Sequence, residues 1–169
     1  GPRGFADLTL AGVAARAGVA VPSLYKHVDS LADLKREVAV ASVRGLTAAL
    51  TAAAIGRAGG DALRATATAY RAFATASPGR YSATQVAPHG SDGADRTLSE
   101  AMAETVTVVA AVVGGCGVPS ERVVDAIRAV RSGLHGFVSL ELGGGFGMPE
   151  DVEASFAFLV RTLEVGIRG

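Results

Sequence analysis

Between Thr9 and Val28 the chain has room for two short helices separated by a tight glycine turn, and this restricts the fold more than any other stretch. Thr9 is a good N-cap for a helix with apolar positions at Leu10, Val13 and Ala14, and Gly18 can end that helix in a left-handed turn. A second helix starts at Val21-Pro22-Ser23, where a first-turn proline gives up no needed N–H. Ala14 is small where two helices must approach, and Val19, Leu24 and Val28 are expected to pin the second helix to the first. This leaves Ser23, Tyr25, Lys26 and His27 on the exposed side and end of the second helix. Hydroxyls can donate to phosphate oxygens, and Lys26 can neutralise a phosphate or donate to a guanine edge, so the corner suits a DNA major groove. An ordinary helical corner with no nucleic-acid partner has the same outline.

The remainder reads as helix throughout. Asp29 and Ser30 can cap a third helix from Leu31 towards Ile55, and the next carries Leu63, Tyr70 and Phe73 and stops near Ser77-Pro78-Gly79. Residues 81–95 are loop-like apart from a short helix around Tyr81 to Val86. A small-residue helix through Met102, Val106, Val109 and Val113 follows, ended by Gly114-Gly115. The last two helices are the most regular. One begins near Pro119 or Ser120 and carries Val123, Ile127, Val130, Leu134 and Val138; the other begins near Glu150 and carries Val152, Phe156, Leu159, Leu163 and Ile167. Their apolar residues exceed what one short body can cover, which predicts a homodimer joined through them.

Composition agrees with an all-α class. Hydrophobic residues make up 49% of the 169 but aromatics only 5%, which favours closely packed small helices over a sheet. Net charge is zero, so any DNA contact must come from a local patch. The charge is uneven: Lys26 and Lys35 lie in the first fifty residues with Arg3, Arg16, Arg36 and Arg44, opposed there by Asp7, Asp29, Asp33 and Glu37. The single cysteine, Cys116, has no disulfide partner in the chain. With no signal peptide and no apolar run read as long enough to span a bilayer, the expected setting is cytoplasmic and reducing, without a membrane partner.

From Gly18-Val19 through Pro22-Ser23-Leu24-Tyr25-Lys26-His27-Val28, then Leu31 and Leu34, the chain resembles the tetracycline-repressor (TetR) family of regulators. The stretch from Arg131 to Ile167 is similar to the ligand and dimer domain of a subgroup marked by Trp-His-Gly, with Leu134 in place of the tryptophan and His135-Gly136 kept. The resemblance implies a three-helix DNA-binding head, of whose first helix only Phe5 and Leu8 are present, and an antiparallel helical body that encloses an effector and dimerises. It places the head at residues 1–36 and the body at residues 37–169. It implies DNA contacts at Ser23, Tyr25, Lys26 and His27, with Thr9 as the preceding cap. Ala20 and Val21 stand where the family often has polar readers, and can touch thymine methyls instead.

The sequence thus predicts a DNA-binding regulator, a repressor released from a pseudo-palindromic operator by a small hydrophobic effector. The alternative is a helical small-molecule-binding protein without DNA binding. Tyr70, Phe73, Tyr81, Met102, Val106, Val109, Leu134, His135 and Phe137 are expected to line the effector pocket, with His135 either orienting the ligand or serving as a hydrogen-bonded core histidine. No cofactor is called for. His27, His89 and His135 lack metal-ligand spacing with one another or with Cys116. Gly143 to Gly147 has neither the preceding strand nor the following Lys-Ser or Lys-Thr of a phosphate loop and reads as an interhelical turn. Glu100, Glu104 and Glu141 form no convincing acid pair, so no catalytic site is expected.

Overall fold

The structure, a computed structural model, describes Phe5, residues 8–24 and 28–88, Gly90, and residues 93–168. Tyr25, Lys26, His27 and His89 lie outside the described residues. Among the described residues the regular elements are helical: α1 (Leu10–Ala17), α2 (Val21–Leu24), α3 (Leu31–Ala54), α4 (Gly59–Ala76), α5 (Pro78–Ala83), α6 (Gly93–Gly114), a single 3-10 turn (Ser120–Arg122), α7 (Val123–Leu142) and α8 (Val152–Gly166). The all-α expectation holds. Ser30 starts α3: its Oγ accepts from the Asp33 N–H at 3.1 Å and donates to Asp33 Oδ2 at 2.6 Å, a reciprocal cap. Asp151 opens α8 in a similar way, accepting from Glu153 N at 3.0 Å.

Two boundaries differ from the sequence reading. α5 occupies Pro78–Ala83, not residues 81–86, because Pro78 sits in the first helical turn, where its missing N–H costs nothing. The loop-like stretch is therefore shorter, and α6 already begins at Gly93. By length and mean hydropathy alone, Leu31–Ala54 and Asp95–Gly114 are apolar enough to cross a membrane, which corrects the reading that no such run exists. Alanine and valine raise hydropathy in a packed helix just as they do in a spanning one.

The chain divides into two compact units, Gly1–Gly45 with Ser77–Ala103 and Leu46–Ala76 with Glu104–Gly169, so α3 and α6 each contribute to both. In the first unit Ala39, Val40 and Val43 of α3 form a core with Leu98 and Ala101 of α6, and Val86 and Met102 pack against it. Arg36 bridges the same two helices, reaching Asp33 at 2.8 Å and the buried Asp95 at 3.2 Å.

In the second unit α4 packs on α7 and α8, which also pack on each other. Val130, Leu134 and Val138 of α7 and Phe156 and Ile167 are buried, as the apolar spacing predicts; Val160, outside that spacing, is buried too, while Val123, Ile127, Val152, Leu159 and Leu163 are half-buried. Closeness of α7 to α8 is set at Gly133, where a Cβ would lie 3.1 Å from Leu163 Cδ1. Cys116 is buried, its thiol donating to the Val112 carbonyl at 3.4 Å, and burial pushes its pKa up.

Arg71 ties the second unit together. Its guanidinium, only 16% exposed, donates to both carboxylate oxygens of Glu141 at 2.8 and 2.7 Å and also to Glu153. The same group lies 4.8 Å from the Phe156 ring centroid and 5.8 Å from that of Phe137, so it also interacts with aromatic faces. Phe137 in turn meets Phe146 at 4.7 Å and Phe156 at 5.2 Å. The Arg71 hydrogen bonds hold the Glu141 carboxyl below its ordinary pKa, against a smaller opposing effect of burial.

A carboxylate with a lowered folded pKa adds stability above its unfolded pKa and loses it as pH falls through the folded value. Glu141→Gln should therefore lower stability at pH 7 and flatten the decline below about pH 4.5. Urea midpoints at pH 7 and pH 3.5 check this; an unchanged acid limb would contradict it.

Candidate functional site

The corner predicted from Thr9 onward is present as far as the described residues reach. Thr9 is extended at φ −130° and ψ 150°, and its hydroxyl accepts from the Gly12 N–H at 3.1 Å. Gly18 ends α1 at φ 67° and ψ 28°, in the left-handed region that favours glycine. The N–H groups of Gly18 and Val19 both return to the Ala14 carbonyl, the latter at 3.0 Å, so the turn satisfies its own backbone. Ala14 is 2% exposed, as a small residue at a close approach should be.

α2 follows after two residues, with the Ser23 N–H donating to the Ala20 carbonyl at 2.9 Å. Ala20 and Pro22 are exposed, while Val21 and Ser23 are half-buried. Val19 is 42% exposed, which corrects its assignment as a residue pinning α2: the left-handed turn directs it outward. Val28 is half-buried as expected. Arg16, in the last turn of α1, is exposed, and Lys35 lies 6.0 Å from the Phe5 ring centroid. Of the residues expected to meet DNA, Thr9 caps the start of α1, Ala20, Val21 and Ser23 lie at the turn and the start of α2, and Tyr25, Lys26 and His27 lie outside the described residues.

The residues expected to line an effector pocket fall in both units. In the first, Tyr81 is 4% exposed and Met102 packs against the α3–α6 core. In the second, Tyr70 and Leu134 are buried, Phe73, Val109, His135 and Phe137 are half-buried, and Val106 is 49% exposed. His135 Nε2 lies 3.5 Å from the Ser139 hydroxyl, one turn along α7. Phe137 belongs to the Arg71 cluster.

Sequence reasoning missed a cleft of about 500 Å³ in the second unit, which none of those nine residues lines. Its walls are Thr51, Ala54 and Ile55 of α3, Arg57 to Gly59, Ala62 of α4, and Thr107, Val108, Ala111, Val112 and Gly115 at the end of α6. The lining is mostly small and aliphatic, and neither size nor periodicity distinguishes such residues from helix-packing alanines. Arg71 was missed because its partners lie 70 and 82 residues away in sequence. Among the described residues no three His, Cys, Asp or Glu side chains are grouped to hold a metal ion.

Comparison with known proteins agrees with this geometry. The family model described as tetracyclin repressor-like, C-terminal domain, matches residues 63–163. The HTH-type transcriptional regulator Rv0681 of Mycobacterium tuberculosis is 37% identical over 164 residues, covering 97% of this chain and 74% of that protein. YobS of Bacillus subtilis, another HTH-type transcriptional regulator, is 30% identical over 165 residues, covering 97% of this chain and 84% of its own. The crystal structure of the protein SCO4313 superposes with a TM-score of 0.76 at 27% identity, over 96% of this chain and 87% of that one. A protein of unknown function from Rhodococcus sp. RHA1 shares the fold, with a TM-score of 0.80 at 22% identity, over 96% and 86% of the two chains.

The corner depends on its two ends. Thr9→Ala should cost about 1 kcal/mol through loss of the cap, and Gly18→Ala about 1–2 kcal/mol through left-handed strain. Amide hydrogen exchange of residues 10–17 reads both. Protection equal to the parent in both variants would show that the corner is held by something other than its caps.

Proposed function

The chain belongs to the tetracycline-repressor family of helix-turn-helix transcriptional regulators, and from that premise we propose that it binds a pseudo-palindromic operator as a two-fold dimer and is released by a small apolar effector. The observation that carries the reading is the capped α1–Gly18–α2 corner, whose turn satisfies its own backbone and which leaves Ala20 and Pro22 exposed and Val21 and Ser23 partly so. Such a corner lets a short helix enter a major groove, with Ala20 and Val21 against thymine methyls and Ser23, Tyr25, Lys26 and His27 meeting phosphates and base edges.

The dimer is proposed to form through α7 and α8. Val124 is 55% exposed, Leu140 52%, Phe158 66% and Val165 72%, and apolar surface of this kind is ordinarily covered. Two-fold pairing would set the separation of the two recognition helices at about one helical turn of DNA or a multiple of it. Effector contact is proposed for the second unit, the unit that holds Tyr70, Phe73, Leu134 and His135. A ligand favouring the state with mismatched head spacing lowers operator affinity by its differential affinity for the two states, and a complete switch requires about 5 kcal/mol.

Fluorescence anisotropy with the DNA upstream of the protein's own gene tests the reading; saturable, salt-sensitive binding is expected, and binding no tighter than to random duplex would refute it. Lys26→Ala should weaken operator binding and, for a phosphate contact, reduce the salt slope by about one unit. Light scattering at micromolar concentration should give a dimer, and Phe158→Glu should shift it towards monomer. A monomeric parent protein would remove the two-fold mechanism.

A further inference from the structure

Three helices wall the cleft in the second unit, and each carries a threonine one turn in from it. Thr47 precedes Thr51 on α3, Thr66 follows Ala62 on α4, and Thr105 precedes Val108 on α6. The Thr47 and Thr105 hydroxyls bond each other at 2.6 Å. Thr66 is 5% exposed, and its Oγ1 is buried with no hydrogen-bond partner. A threonine within a helix can return its hydroxyl to the carbonyl four residues back. On this same helix Thr68 does so to Arg64 at 2.9 Å and Thr75 to Arg71 at 3.0 Å, whereas Thr66, between them, does not. A buried hydroxyl left unpaired is a standing penalty that valine would avoid at equal volume. Thr66 also lies one turn from Ala62 at the cleft wall and one turn from the buried Tyr70.

We propose that Thr66 is the hydrogen-bonding anchor of a ligand site that opens through this cleft, and that its ligand is a neutral aliphatic molecule with one hydroxyl or carbonyl. This rests on the reading of the second unit as effector-binding and names the effector's class. The described walls include no aromatic ring, so they offer dispersion contact to a slender chain but no stacking partner. Arg57 is the charged residue among them, and its Nη1 is already bonded to the Ala53 carbonyl at 2.8 Å. Arg57 stands at the α3–α4 connection, whereas Thr66 lies a turn further along α4 from Ala62 and offers one hydrogen bond and no charge, so an alcohol or ketone matches it and an ionised head group beside it would be desolvated without a counter-charge. The volume of about 500 Å³ lies within the usual range for small-molecule sites.

The test uses the whole protein, its Thr66→Val and Thr66→Ser variants, and 1-octanol, 2-octanone and octanoate as calorimetric probes. The parent should bind the two neutral probes and discriminate against octanoate. Thr66→Val should melt at or above the parent temperature without ligand, yet bind 1-octanol about tenfold more weakly. Thr66→Ser should retain most of the affinity. Equal 1-octanol affinity in the parent and Thr66→Val, a preference for octanoate, or no binding of either neutral probe by the parent would each overturn the proposal. Operator binding measured in parallel separates the two readings. Thr66-dependent binding without operator release would keep the site and discard its regulatory role, while octanol-driven release that ignores Thr66 would do the reverse.

Discussion

A guanidinium largely removed from water has to be met by partners of its own, and Arg71 of α4 is met by residues from two other helices. The two oxygens of Glu141 and a bond to Glu153 balance its charge, and Phe137 and Phe156 lie near its faces. These partners come from α7 and α8, so α4 cannot bury Arg71 unless the final hairpin is already in its native register. A pair desolvated to this degree adds little net stability compared with apolar packing, but it strongly penalises arrangements that leave one partner alone. The hairpin that presents the exposed apolar residues Phe158 and Val165 is thereby specified by a partly buried ion pair as well as by its apolar seam.

Polar contacts between α3 and α6 recur in each compact unit. Arg36 meets Asp95 in the first, and Thr47 meets Thr105 in the second. Between these positions along the chain lie the packed Val40, Val43, Leu98 and Ala101. α3 and α6 each contribute residues to both units: their earlier turns to the first unit's core, their later turns to the cleft of the second.

Much of the architecture was legible because its signals are local. Thr9, Gly18, Ser30 and the seams of α7 and α8 act within a few residues of where they are read, and each behaves as its chemistry predicts. Local signals misled where one residue type has two uses. Pro78 has the look of a stop but also suits a first turn, and Val19 has the look of a packing residue but a left-handed turn points it outward. What could not be read depends on distance along the chain. Neither the partners of Arg71 nor the unpaired state of Thr66 leaves a trace in spacing, because each is defined by helices remote in sequence. The cleft is equally silent, since alanines that line a void and alanines that fill one look the same on paper.

The burial of Cys116 has a use of its own. A thiol that donates to a carbonyl and is held protonated by its surroundings reacts slowly with alkylating reagents until the end of α6 opens. As the chain's sole sulfhydryl, it would time that opening without any added label, so mass spectrometry of the alkylated protein would count open molecules directly.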